Sequence, residues 1–260
     1  MLTIFQALVL GVVEGLTEFL PISSTAHLTL TATVLGLPQS AAVKTVEIAI
    51  QSGAILAVLV TYWRQFLDRE ILARVVIAFI PTGLLGFLFY PLVKNYLLGD
   101  LAVTLWALAL GGLFLIIFER WLSRRSSIVE LESAAHLRLG RAAFIGLVQA
   151  LALVPGVSRA AAAFVGARLA GADRQLAVEF SFLLAVPTIL AATGFDLVKN
   201  YQLFTPEQFN GLALAFLAAF FTALFAIRWL LDFVRRRSFA TFGFYRLALV
   251  LAFLLYLAAF

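Results

Sequence analysis

The run Glu-Gly-Leu-Thr-Glu-Phe-Leu-Pro-Ile-Ser-Ser-Thr-Ala-His, residues 14–27, places two carboxylates, a cluster of hydroxyls and an imidazole close together in an otherwise apolar sequence. Glu14 and Glu18 stand one helical turn apart and share a helix face. Pro21 breaks that helix and suits the first turn of a new one, on which Ser24 and His27, three apart, share a face. Two carboxylates so spaced can hold a hard divalent cation, Mg2+ or Ca2+, through oxygen ligands, or can act as a base. A serine near a histidine permits nucleophilic attack on phosphorus, Ser24 attacking and His27 taking the proton; His27 itself and an activated water are the alternative nucleophiles. Ser23 and Thr25 read as capping or phosphate-contact residues. A second run, Val-Pro-Gly-Val-Ser-Arg at 154–159, opens a helix at Pro155 and Gly156 whose first turn carries Ser158 and Arg159. A helix N-terminus attracts anions through its free N–H groups and dipole, and an arginine adds a bidentate fork for phosphate oxygens. Gln51 is a further candidate for a hydrogen bond in the same site.

These groups must be positioned by a chain of 260 residues that is 63% hydrophobic and only 13% charged, against roughly 25% charged in an ordinary soluble domain. A water-soluble globule is excluded. The chain has no cysteine, which removes disulfides, thiolate nucleophiles and cysteine zinc sites, and its two histidines argue against a multi-histidine metal cage. The net charge of +5 does not point to nucleic acid, because the basic residues lie between long apolar runs instead of forming one stripe. No basic segment precedes the first apolar run, so a cleavable secretory signal is not expected there.

Charge-free runs at 48–63, 75–93, 101–118, 180–195, 208–227 and 247–260 predict six membrane-spanning helices. The stretches 1–37 and 142–170 carry Gly, Pro and ionisable groups at their centres and read as broken, re-entrant helical hairpins. Loops holding Arg64, Arg69 and Arg74, then Arg120 to Arg141, then Arg168 and Arg174, then Arg228 to Arg237, are placed in the cytoplasm by the positive-inside rule. Lys44, Lys94 and Lys199 then fall outside, Arg246 is expected to snorkel, and both termini are expected to be external. The expected fold is an all-α integral membrane protein: one membrane domain, 1–260, made of two inverted repeats, about 1–120 and 140–260, joined by a cytoplasmic loop. Weak internal similarity supports the duplication, with Gly11-Val12-Val13-Glu14 against Gly146-Leu147-Val148-Gln149 and Pro21-x-x-Ser24 against Pro155-x-x-Ser158. Such repeats place their site near the midplane, at the N-termini of broken helices.

Energetics require these polar groups to meet. Each charge left unpaired at the bilayer centre costs roughly 2.5–3.5 kcal/mol, so Glu14, Glu18 and Arg159 alone would cost about 9 kcal/mol, comparable to a whole protein's typical stability. A Glu18–Arg159 ion pair that only pinned two segments would need no second carboxylate, no histidine and no hydroxyl-bearing helix starts. The constellation fits a phosphatase, and a phosphorylated lipid as substrate, since a soluble phosphate needs no membrane-embedded site. A transporter or flippase for a polyprenyl phosphate lipid is the rival, on the repeat alone.

The motif at 14–27, together with Pro-Gly-Val-Ser-Arg, the segment 47–58 and the segment 179–187, resembles the undecaprenyl-diphosphate phosphatase family associated with bacitracin resistance, over essentially the whole chain. The resemblance implies hydrolysis of undecaprenyl diphosphate to undecaprenyl phosphate, recycling the lipid carrier for peptidoglycan synthesis and cell wall biogenesis. It implies a divalent cation, catalytic importance for Glu14, Glu18, Ser24, His27 and Arg159, and a site facing the outer side of the bacterial inner membrane. The partners it implies are the polyprenyl diphosphate and bilayer lipids; a homodimer is left open. The family pattern usually continues with Ser-Gly after the arginine, where this chain has Ala160 and Ala161, so that serine's role is absent or replaced. Ala26 likewise stands where a glycine usually precedes the histidine.

Overall fold

The computed structural model describes residues 3–38, 40–124, 131, 133–200, 202 and 206–259. The described residues form helices in chain order: α1 (Ile4–Thr17), α2 (Ser24–Val34), α3 (Ala41–Leu67), α4 (Arg69–Leu92), α5 (Leu101–Leu122), α6 (Leu139–Gln149), α7 (Arg159–Leu169), α8 (Arg174–Asn200), α9 (Pro206–Arg236) and α10 (Ala240–Ala259). Several of the apolar helices are started by a polar cap that satisfies free N–H groups. Thr3 and Gln6 form a capping box on α1, Ser40 caps α3, Asp68 caps α4 and Asp100 caps α5. Among these residues the one strand-like feature is a bridge between Leu131 and Ala172.

Six helices, in α3, α4, α5, α8, α9 and α10, are long and apolar enough to cross a membrane, as the charge-free runs predict. They present Phe87, Trp106, Phe221, Phe225 and Leu255 outward, each more than 60% exposed. In water such a surface would drive association; against acyl chains it is at rest. The remaining helices, α1, α2, α6 and α7, are different. The longest, α1, has 14 residues, or about 21 Å, too short for a hydrocarbon core roughly 30 Å thick.

Two of these short helices, α1 and α6, are held against spanning ones by close backbone approach. A Cβ placed on Gly11 would lie 2.2 Å from the carbonyl oxygen of Ala215 in α9, and one on Gly146 would lie 1.7 Å from that of Ala78 in α4. Only glycine permits such contact, which is the small-residue packing that membrane helices use in place of a hydrophobic drive. α3 and α8 pack together at the centre, and Thr193 Oγ1 donates to the Ile48 carbonyl at 3.1 Å. At one end of this central pair Lys94 is buried, bonded to Asp196 and, at 3.1 Å, to Thr45 Oγ1. At the other, Glu119 of α5 accepts from Arg174 at 2.8 Å and from Ser238 at 2.6 Å.

Candidate active site

Two serines set the backbone of the site. Ser23 (φ 71°) and Ser158 (φ 77°) are the non-glycine residues with positive φ among those described, a conformation costing of order 1–3 kcal/mol that persists where the surroundings enforce it. Each caps a helix. Ser23 Oγ accepts from the Ala26 N–H at 3.4 Å to start α2, and Ser158 Oγ accepts from the Ala161 N–H at 3.2 Å to start α7. The register of the two turns therefore matches Ser23, not Ser24, with Ser158, one residue away from the Pro-x-x-Ser alignment. Cap geometry decides this, because it fixes which residue is first in the helix: Ser24 in α2, Arg159 in α7.

Both helix starts border one cavity of about 150 Å³. Ser23, Ser24 and Thr25 line it from α2, Ser158 and Arg159 from α7, Glu18 from the end of α1, and Gln51 from α3. Glu18 joins the two helix starts: one carboxylate oxygen accepts from Ser24 Oγ, and the other accepts from Arg159 Nε at 3.1 Å. Arg159 Nη1 donates to the Ser181 carbonyl of α8 at 2.8 Å, and its guanidinium lies 5.9 Å from the centroid of the Phe19 ring. Its Nη2 is buried and has no protein acceptor. The guanidinium is thus fixed in place with one N–H edge free for an anion.

Glu14 stands behind Glu18. It is fully buried, neither carboxylate oxygen accepts a protein hydrogen bond, and Glu18, Glu47 and Arg159 are the charged groups in its electrostatic reach. Among the described residues no group of three or more His, Cys, Asp or Glu converges as a cation cage.

His27, expected as the proton partner of Ser24, points elsewhere. Its Nδ1 bonds the Ser23 carbonyl at 2.8 Å and its Nε2 bonds the Tyr245 hydroxyl of α10 at 2.8 Å. A carbonyl only accepts, so Nδ1 carries the hydrogen and Nε2 accepts from the tyrosine. Ser24 turns its hydroxyl toward the carboxylate of Glu18 instead. Gly156, expected to contact substrate, does not border the cavity. At φ 99° it makes a turn against α5, where a Cβ would lie 2.6 Å from the Thr104 carbonyl oxygen.

Four residues at or beside the site escape a reading of the sequence. Thr82, Gln149 and Thr188 line the cavity, while Arg246 secures the turn behind it. Arg246 is fully buried, not snorkelling, and donates to the Val157 carbonyl at 2.7 Å. Its signal is a lone charge at the very edge of the last apolar run, 247–260. Gln149 was signalled by its match with Glu14 in the internal similarity; two isolated threonines carry no such signal.

The family model for bacitracin resistance protein BacA matches residues 7–252. The chain is 49% identical over 249 residues to the undecaprenyl-diphosphatase of Thermus thermophilus, covering 94% of each chain. It is 46% identical to that of a Sulfurihydrogenibium species, covering 95% of this chain and 97% of the relative, and 45% identical to that of Aquifex aeolicus, covering 97% and 98%.

Proposed function

From the premise that this chain belongs to the bacitracin resistance protein BacA family, we propose that its cavity is where undecaprenyl diphosphate is cleaved to undecaprenyl phosphate and inorganic phosphate. The protein is a multi-pass membrane enzyme, an undecaprenyl-diphosphatase, and its near full-length relatives of that name do not favour a lipid translocator. The observation that carries the assignment of the site is the continuous link Ser24–Glu18–Arg159 across two helix starts at one cavity.

Ser24 is the nucleophile. Its hydroxyl already donates to Glu18, which takes the proton as Oγ bonds the terminal phosphorus and the bond to the bridging oxygen breaks. Arg159 offers its free Nη2 edge to the equatorial oxygens, where charge spreads during phosphoryl transfer. The N–H groups at the starts of α2 and α7 add positive potential on the same oxygens. His27 is a positioning residue, tying the Ser23 carbonyl and so the helix start that presents Ser24, with Tyr245 holding the ring from the other side. Glu14, with two buried oxygens and no protein donor, fits a divalent cation in company with Glu18. When bound, such a cation supplies charge neutralisation for the diphosphate.

The same reading places the protein in the bacterial inner membrane, arginine-rich loops inward, termini outward and the site open to the outer side. It treats 1–120 and 140–260 as inverted repeats, with α1–α2 re-entering from outside and α6–α7 from the cytoplasm. The paired serine caps support that duplication. The test is phosphate release from undecaprenyl diphosphate by purified protein in detergent, with and without chelator, beside Glu18→Gln. Release that is lost in the variant ties the chemistry to this link; full activity of the folded variant overturns the assignment.

A further inference from the structure

Gln149 ends α6 with 1% of its surface exposed. Thr82 Oγ1 donates to the Gly146 carbonyl at 2.6 Å, and Thr188 Oγ1 donates to the Leu184 carbonyl at 2.7 Å. Each hydroxyl has one hydrogen, already engaged, so toward Gln149 each can only accept. Both accept from Gln149 Nε2, at 3.1 Å each. That fixes which way the amide faces, since a flipped amide would set its oxygen against two acceptors. Oε1 is left buried with no protein donor, on a side chain that lines the same cavity as Ser24 and Arg159.

Among the buried polar atoms of the residues that line the cavity, Arg159 keeps an unengaged donor edge and Gln149 an unengaged acceptor. A phosphate oxygen satisfies the first and not the second. An acceptor facing phosphate needs a hydrogen-bearing species between them, and in a hydrolase that species is water. We infer that Gln149 is a positioning residue whose Oε1 accepts a hydrogen bond from the water that attacks phosphoserine at Ser24. This rests on the phosphatase reading above. The water oxygen bonds phosphorus, the Oγ–P bond breaks, and Oγ regains its proton from Glu18, which received it in the first step. The second water proton ends on phosphate, which leaves as dihydrogen phosphate. An amide is no base at neutral pH, so Gln149 orients the water without taking its proton.

The test uses full-length protein in detergent and undecaprenyl diphosphate labelled in the terminal phosphate. In Gln149→Leu, kcat for phosphate release should fall about 10- to 100-fold with KM within about twofold. Label should accumulate as phosphoserine, with a burst of undecaprenyl phosphate stoichiometric with enzyme. Gln149→Glu, which keeps an acceptor oxygen, should recover part of the rate. Should Gln149→Leu not fold, Gln149→Asn withdraws the amide by one methylene and is expected to show the same split. Unchanged kcat, or lost rate without phosphoserine, overturns the inference. So does a higher KM at unchanged kcat, which would make Gln149 a substrate contact. A raised Mg2+ or Ca2+ requirement at unchanged saturating rate would make it a cation ligand and also overturn it. If wild-type protein releases no phosphate, the phosphatase reading itself fails; if wild type is active and Gln149→Leu matches it, only Gln149 is misassigned.

Discussion

Ser23 and Ser158 adopt the same left-handed backbone and cap α2 and α7 through the same bond to the residue three along, yet the residue that follows is Ser24 in one case and Arg159 in the other. The same offset of 135 positions relates Gly11 to Gly146 and Glu14 to Gln149. The two glycines do the same work, bringing α1 onto α9 and α6 onto α4. The helix pairs therefore share a backbone plan and differ in charge. α1–α2 brings Glu14, Glu18 and the hydroxyl of Ser24, while α6–α7 brings Arg159 and the neutral amide of Gln149. Neither pair by itself holds all the groups of the proposed phosphoryl-transfer site, which is assembled where Glu18 meets Arg159. On the proposed reading, a duplicated backbone supplies two anion-attracting helix starts, and diverged side chains make one a base and nucleophile and the other a clamp.

The largest effect should come from cutting the join. Arg159→Ala and Glu18→Gln are each expected to lower kcat by about 10³-fold or more, roughly 4 kcal/mol of transition-state stabilisation. Phosphate release, with thermal unfolding as a control on folding, measures it. Activity kept in Arg159→Ala would show that the first helix pair suffices alone. Next, Glu14→Gln gives the first pair the amide that the second carries at the matching position. Activity should fall about 10- to 100-fold and chelator sensitivity should weaken, read as a Mg2+ titration of the rate. A variant that titrates like wild type would separate Glu14 from the cation. His27 distinguishes the pairs in a third way, since α7 has Ala162 at the matching place. His27→Asn, which keeps a donor for the Ser23 carbonyl, should retain at least about tenfold more activity than His27→Ala; equal loss in both would make the imidazole a proton carrier instead. The smallest effect concerns the shared backbone. Ser158→Gly removes the cap oxygen but also relieves the left-handed strain, and the two nearly offset. Thermal stability should move by less than about 1 kcal/mol, whereas Gly146→Val, driven into the Ala78 carbonyl, should cost about 1–3 kcal/mol or prevent folding.

Much of this was legible in one dimension. Six apolar runs, the short polar-centred stretches between them and the spacing of Glu14, Glu18 and Pro21 gave the helices and the breaks, because bilayer thickness and helix pitch act on local composition. The chemical groups were legible too, since a carboxylate or guanidinium in such a background is too costly to be incidental. The partners were not. Ser24 faces Glu18 and not His27 because a left-handed residue at 23 directs the imidazole back to its own carbonyl and on to Tyr245. Arg246 is buried and not snorkelling because Val157, 89 positions away, offers it a carbonyl. Gln149 entered the site through Thr82 and Thr188, which belong to two other helices. Hydropathy and charge spacing are sums over neighbours in the chain, and the sequence alone determined what depends on them: the spans, the breaks and the inventory of reactive groups. Which of those groups touch depends on rotamers and on backbone contacts between distant helices, and only the tertiary structure decided it.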